Sequence, residues 1–297
     1  MAVPRLPRPG ETVIASNVSR SLGGKGANQA TALRRLGCRV AFVGCLGEDE
    51  PGDAFLRLFA EEGIDTARVH RDPSAPTGMA FPMVLADGGN AIVAAPSASL
   101  RLPVAAVEAA APTIGAAAAL LVQLEIPLAA VAAALRLARA AAVPAFLNPA
   151  PAVVGAADLL RAADVAIPNH LEAEALTGLT IRTPQEALSA ARRLRDLGPD
   201  VVIVTLGENG AVLSAPGAEH HVPAHPVAAV DSTGAGDAFC AGLVDARCRG
   251  AAWLEAVQFA AACGALACRG PGAIPWLPSA AEVEAFLTRR QQPSQAG

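Results

Sequence analysis

The chain has 297 residues, enough to bury a sizeable core and to build one large α/β domain with a small appendage, or two domains. A net charge of −4 offers no broad basic field for nucleic acid or an anionic membrane. Apolar residues make up 53%, much of it alanine, but no stretch of about 18 residues runs free of polar interruption, and Met1-Ala2-Val3-Pro4-Arg5 has no apolar signal-peptide core; the expectation is a cytoplasmic protein.

Along the chain, β-like apolar runs at 40–43, 118–124, 145–147, 165–167 and 201–206 alternate with Ala/Leu/Arg-rich helical stretches, which predicts a parallel sheet covered by helices. Two segments break that rhythm, 11–21 and 78–95. In the second, Asp87-Gly88-Gly89-Asn90 reads as a hairpin turn. Both are assigned to a small β lid, about 9–21 and 77–97, within a single domain spanning 1–297, with a frayed tail at 291–297. A lid that closes over a substrate excludes water.

Cys38, Cys45, Cys240, Cys248, Cys263 and Cys268 form no CxxC pair, which predicts reduced, mostly buried thiols and no zinc site. His220, His221 and His225 cluster in sequence but lack a Cys or acidic partner at metal-ligand spacing, so they read as loop or strand-edge residues.

Two glycine-rich strings carry the chemistry. Gly23-Gly24-Lys25-Gly26-Ala27-Asn28-Gln29-Ala30 runs into an Ala-rich helical segment and holds the only lysine of the chain, every other long cationic side chain being Arg. A lone compact ammonium between glycines points to a charge-specific task. The string lacks the spacing and the Ser or Thr of a Walker A loop, since Gly26 follows Lys25. The second string, Asp231-Ser232-Thr233-Gly234-Ala235-Gly236-Asp237, sets glycines between two carboxylates ahead of an apolar run. If Gly234 to Gly236 turn the chain into a helix, their N–H groups and the helix dipole converge on an anion. Asp237 at the helix start is then placed to take a proton from an attacking hydroxyl while those amides stabilise charge on a transferred phosphoryl group. The bland alternative is a capped helix after a glycine turn.

Between these strings, polar residues end the apolar runs: Gln123-Leu124-Glu125, Asn148-Pro149-Ala150-Pro151, Pro168-Asn169-His170-Leu171-Glu172 and Thr205-Leu206-Gly207-Glu208-Asn209-Gly210. Ligands of open α/β sheets bind at such strand ends. Asn169 with Glu172 also fits an N-cap and capping box.

These residues resemble the ribokinase-like (PfkB) carbohydrate kinases, from Pro7-Arg8-Pro9-Gly10-Glu11-Thr12 to about Pro278. The resemblance implies a three-layer α/β/α fold with a largely parallel central sheet and a small β-sheet lid. It implies ATP-dependent phosphorylation of D-ribose at the 5-hydroxyl, with deoxyribose, a ketose such as fructose or a nucleoside as other acceptors. By it, Gly24, Lys25, Asn28 and Glu125 hold the sugar, Asp237 is the general base, and Gly234, Ala235 and Gly236 form the anion hole. Asn169, Thr205, Gly207 and Gly210, with Gly236, contact ATP, and Glu172 orients water on Mg²⁺. A monovalent cation, usually K⁺, would be held at Asp231, Thr233, Ala267, Gly270 and Gly272. A homodimer through the lid is also implied. A nucleoside acceptor would want aromatic stacking, and this chain has no tyrosine and 3% aromatics.

The sequence departs from the family in three places. The family begins with an apolar strand ending in an Asn-x-Asp-type pair that binds sugar hydroxyls, and that strand would fall before Met1. The expectation is an internal start at Met1 and, for the chain as it stands, weak folding or poor sugar affinity, or a non-catalytic binding relic. Trp276 stands where a Ser often contributes to the cation site, and Pro96-Ser97-Ala98-Ser99 replaces Pro-Gly-Ala-Asn over the sugar.

Overall fold

The computed structural model describes residues 1, 3, 5–18, 20–84 and 90–291. Gly24 leads into helix α1 (Lys25–Arg35), and strand β1 (Ala41–Gly47), helix α2 (Glu50–Glu62) and strand β2 (Asp65–Asp72) follow as a parallel β-α-β unit. Strands β3 (Met79–Val84) and β4 (Asn90–Ala95) form an antiparallel pair, with Phe81 opposite Val93. Short helices α3 (Val104–Ala109) and α4 (Ala111–Gly115) precede β5 (Leu120–Val122), α5 (Leu128–Ala140), β6 (Ala145–Leu147), α6 (Ala156–Leu160) and β7 (Val165–Ala166). Then come α7 (His170–Thr177), α8 (Pro184–Arg195), β8 (Val201–Thr205), the hairpin β9 (Ala211–Ala215) and β10 (Ala218–Val222), and helices α9 (Ala235–Cys248), α10 (Trp253–Ala267) and α11 (Ala280–Gln291).

The main sheet has the order β10-β9-β8-β7-β6-β5, parallel from β5 to β8 and antiparallel at β9 and β10. Alternate residues of each strand enter different cores, as the two-residue period of a strand requires. Leu147, Ala166, Val202, Val204 and Val212 pack with α3 to α8, while Phe146, Val165, Val201, Ile203 and Leu213 pack with α9 and α10. Both faces are therefore covered, which gives the three layers the sequence implies and accounts for apolar runs that show no polar alternation.

Three strands lie outside the anticipated runs. β2 is charged and mostly half-buried or exposed, and β9–β10 is a hairpin whose outer strand alternates half-buried and exposed residues before the buried Val222. The pair β1–β2 and the six-stranded sheet are separate ladders among the described residues. Phe42 to Leu46 and Leu120 to Leu124 flank a cleft of about 2690 Å³ that lies between them.

Of the two lid segments, 77–97 carries the β3–β4 pair, whereas 11–21 forms no strand among the described residues. There the chain turns at 8–11, closed by Glu11 N–H donating to the Arg8 carbonyl (3.0 Å) and by an Arg5–Glu11 ion pair. Asn17 makes an isolated β-bridge in this segment. Asp87, Gly88 and Gly89 of the anticipated turn, and 292–297 of the anticipated tail, lie outside the described residues.

Thr77 ties the root of the hairpin to the β-α-β unit. Its hydroxyl accepts from Gly47 N–H (2.9 Å) and donates to Asp49 Oδ1 (2.6 Å), and its own N–H donates to Asp49 Oδ2 (2.8 Å). Asp49 at the same time caps α2 through Gly52 N–H (2.9 Å). Thr77→Val keeps the shape but leaves buried partners unmatched, so we expect a loss of about 1–3 kcal/mol in urea unfolding.

Candidate active site

Glycines set the start of both helices that build the site. Gly24 caps α1 at φ 88°, and Gly234 caps α9 in the left-handed region at φ 83°. Behind these caps small residues pave the contact between α1, α9 and α10: Ala32, Ala238, Ala241, Ala262 and Cys263 share one core, and a Cβ at Gly242 would lie 2.7 Å from Cys263 Sγ. The close approach of α1 to α9 lets short amide side chains bridge the two helices.

Asn28 Nδ2 donates to Asp237 Oδ2 at 2.7 Å, and Gln29 Nε2 donates to Asp237 Oδ1 at 3.0 Å. Asp237, in the first turn of α9, is 7% exposed. Lys25 N–H donates to Glu125 Oε2 at 2.9 Å, so the start of α1 is pinned to the chain just beyond β5. Gly24 lies against the same carboxylate, since a Cβ there would be 3.8 Å from Glu125 Oε2. Burial pushes the carboxyls of Asp237, Glu125 and Glu172 above their ordinary range, and the Lys25 charge pulls each back. The charge of the only lysine thus acts on three carboxylates, one in α9, one in α7 and one in the loop beyond β5. Gly234-Ala235-Gly236 opens α9, where N–H groups of a first turn lack intrahelical acceptors; Ala235 N–H turns back to the Ser232 carbonyl (3.1 Å).

At the neighbouring strand ends, Asn169 caps α7 in a reciprocal box with Glu172, Asn169 Oδ1 accepting from Glu172 N–H (2.9 Å) and Glu172 Oε2 from Asn169 N–H (2.8 Å). Asn169 also bridges in parallel to Thr205 at the end of β8. Gly207 (φ 59°) and Gly210 (φ 86°) shape the turn into β9, and a Cβ at Gly210 would lie 2.0 Å from the Val222 carbonyl oxygen.

Asp231 clasps two loops. Its Oδ1 accepts from Thr233 N–H (2.9 Å) and Thr233 Oγ1 (2.7 Å), and its Oδ2 accepts from Gly272 N–H (2.8 Å). Burial works against ionisation, but these bonds hold its carboxyl below the usual range. Ala267 ends α10 inside the core, and Gly270 lies under the Trp276 ring, where a Cβ would come within 1.8 Å of the indole. Ser97 sits at φ 45°, a left-handed backbone that favours glycine, so the Ser in Pro96-Ser97-Ala98-Ser99 is strained. His220 and His221 belong to β10, His221 Nε2 lying 2.7 Å from the Asn209 carbonyl oxygen, and His225 packs edge-on against Phe286.

The strings at 23–30 and 231–237, with Glu125, thus meet around Asp237, and Asn169, Glu172 and Thr205 meet at one strand edge. Three more residues belong to the same network: Gln29, to which the sequence assigned no role, and Gln123 and Asn148, which it placed only at ligand-binding strand ends. Gln123 and Asn148 end their strands and Gln29 lies inside the glycine string, but nothing in the sequence says that they meet. No helix among the described residues is long and apolar enough to cross a membrane.

Comparison with known proteins matches residues 1–280 to the pfkB family carbohydrate kinases. The chain is 38% identical over 287 residues to a ribokinase of Haemophilus influenzae, covering 97% of this chain and 94% of that protein. It is 33% identical over 236 residues to a deoxyribokinase of Salmonella typhi, covering 79% of this chain and 77% of that one. Its fold matches the structure of Arabidopsis thaliana ribokinase complexed with ribose and ATP with a TM-score of 0.86 and 31% identity, over 96% of this chain and 94% of the other.

Proposed function

Because the chain belongs to the pfkB family of carbohydrate kinases, we propose that it transfers the γ-phosphoryl group of ATP to the 5-hydroxyl of D-ribose, giving ribose 5-phosphate. The observation that carries this is Asp237. It is a buried carboxylate in the first turn of a glycine-capped helix, bonded to an amide of the other glycine loop.

In this reading Gly24, Lys25, Asn28 and Glu125 hold the sugar hydroxyls, and Asp237 accepts the proton of the attacking hydroxyl. The oxygen of that hydroxyl bonds to the γ-phosphorus as the bond to the β-γ bridging oxygen breaks, releasing ADP. The amides of the Gly234 cap and of Ala235 and Gly236 at the start of α9 stabilise the charge on the transferred group, Ala235 N–H giving up its bond to the Ser232 carbonyl. Asn169, Thr205, Gly207 and Gly210 line the ATP side. The β3–β4 hairpin serves as a lid that keeps solvent from competing as acceptor.

Bound Mg²⁺ would neutralise phosphate charge. Glu172, a hard oxygen donor with only one oxygen bonded to Asn169 N–H, fits an outer role through water. Potassium would lie by the loops clasped by Asp231. That carboxylate already takes three donors, so backbone carbonyls of Asp231, Thr233, Ala267, Gly270 and Gly272 are the fitting ligands, with Trp276 covering Gly270. Met79, Phe81 and Val93 are exposed at 51%, 40% and 57% on one face of the hairpin, which supports pairing of two lids in a homodimer.

A coupled ADP-release assay with MgATP and ribose, 2-deoxyribose or fructose, with and without potassium, tests the reading. We expect the highest kcat/KM with ribose and stimulation by potassium. A higher value with 2-deoxyribose would reassign the acceptor along the line of the deoxyribokinase relative. Absence of turnover with every sugar would overturn the reading.

A further inference from the structure

Gln29 is 1% exposed and uses both ends of its amide. Its Nε2 donates to Asp237 Oδ1 (3.0 Å) and to Asn148 Oδ1 (3.2 Å), and its Oε1 accepts from Gln123 Nε2. Asn148 Nδ2 in turn donates to the Ile167 carbonyl at 2.8 Å. A backbone carbonyl and an ionised carboxylate can only accept, so the chain of amides has one permitted sense. The Ile167 carbonyl requires the NH₂ of Asn148, Asn148 therefore turns its oxygen to Gln29, and Gln29 must present its NH₂ to Asp237. Gln123 fills the remaining acceptor of Gln29.

Asn28, which holds the other carboxylate oxygen, is not fixed in this way. It is 5% exposed and its Oδ1 is buried without a partner, so its amide is free to exchange its bond to Asp237 for bonds to a substrate hydroxyl. We propose that Gln29 is a positioning residue, oriented by Asn148 and Gln123, which occupies Oδ1 of Asp237 permanently and so reserves Oδ2 as the oxygen that accepts the substrate proton. The inference rests on the phosphoryl-transfer reading above, but concerns the carboxylate itself. The donor also favours the ionised form of a base whose burial disfavours it. The other titratable groups acting on Asp237 are Lys25 on α1, Glu125 beyond β5, Glu172 on α7 and Cys240 on its own helix.

The test compares wild type with Gln29→Met and with the pair Gln123→Glu and Gln123→Met, ATP binding by calorimetry showing which variants are folded. Gln29→Met is expected to lower kcat about 10- to 100-fold with KM for ATP unchanged, and to move the acid limb of kcat/KM to higher pH. Gln123→Glu keeps the shape but removes the donor and turns an acceptor to Gln29, which forces the amide the wrong way round. It should therefore be slower than Gln123→Met. Equal rates, or the reverse order, would reduce the network to packing and overturn the proposal, and this arm stands if Gln29→Met does not fold. A carbon-13 titration of labelled Asp carboxyls, with the Asp237 signal assigned by its loss in Asp237→Asn, decides independently of the acceptor sugar. An Asp237 signal titrating at higher pH in Gln29→Met supports the inference, and an unmoved one overturns it. Wild type inactive on sugars would sink the kinase reading while leaving this titration to judge the inference.

Discussion

Asp237→Asn is expected to lower kcat with ribose about 10²–10⁴-fold while leaving MgATP affinity within a few-fold of wild type. The substitution removes the proton acceptor and little else. The oxygen of the new amide still accepts from Gln29, and its NH₂ finds the buried Oδ1 of Asn28, which has no other partner, once the Asn28 amide turns over. Stability should move the opposite way to activity. The Asp237 carboxyl is raised by burial in the folded protein, so the folded state binds protons more tightly than the unfolded chain. Its ionisation then costs stability as pH rises through the unfolded value of about 3.9, and the cost is complete above the folded one. Thermal unfolding as a function of pH should therefore show the Asn variant more stable than wild type at neutral pH, with the difference closing toward acid. A variant that kept wild-type kcat would remove Asp237 from the chemistry.

The second large effect is expected at the glycines that open α9, and two substitutions separate geometry from chemistry. Gly234→Ala places a Cβ 2.7 Å from Ala273 Cβ and 3.1 Å from its Cα, at a φ of 83° that costs an L-residue about 1–2 kcal/mol. The 270–273 loop cannot easily yield, because Gly272 N–H is held by Asp231. Both the thermal midpoint and kcat should fall, the latter about 10²–10³-fold, as for loss of an anion-hole donor. Gly236→Ala meets nothing within 4 Å outside its own helix and lies within α9. It should stabilise the helix by about 0.5–1 kcal/mol and still lower kcat, because the methyl group occupies space needed by the transferred group. Equal activity of Gly236→Ala and wild type would argue that no anion sits over this turn.

The sequence and the structure agree where the signal is local. The string Gly234-Ala235-Gly236-Asp237 specifies a left-handed cap, a helix start and a first-turn carboxylate, all within four residues, and all are seen. Asn169 and Glu172 lie three apart because a capping box needs that spacing, and the box is formed. Apolar runs without alternation announce strands covered on both faces, and β5, β6, β7 and β8 fall inside the anticipated segments. Where pairing partners are remote, the same reasoning fails. Residues 11–21 have an extended composition but carry only a bridge at Asn17 and no strand among the described residues, and the charged β2 is a strand only because β1 lies beside it. By itself, then, the sequence determined the layered α/β class, the two glycine loops and a carboxylate at a helix start, since each follows from φ preference, side-chain period or hydrogen bonding within a few residues. Tertiary structure alone decided that Gln123 and Asn148, up to 119 positions from Gln29, would bond to it and that Gln29 would bond to Asp237. Which donor faces which acceptor depends on the packing distance between α1 and α9 and on a carbonyl at a third strand, and no local spacing encodes either.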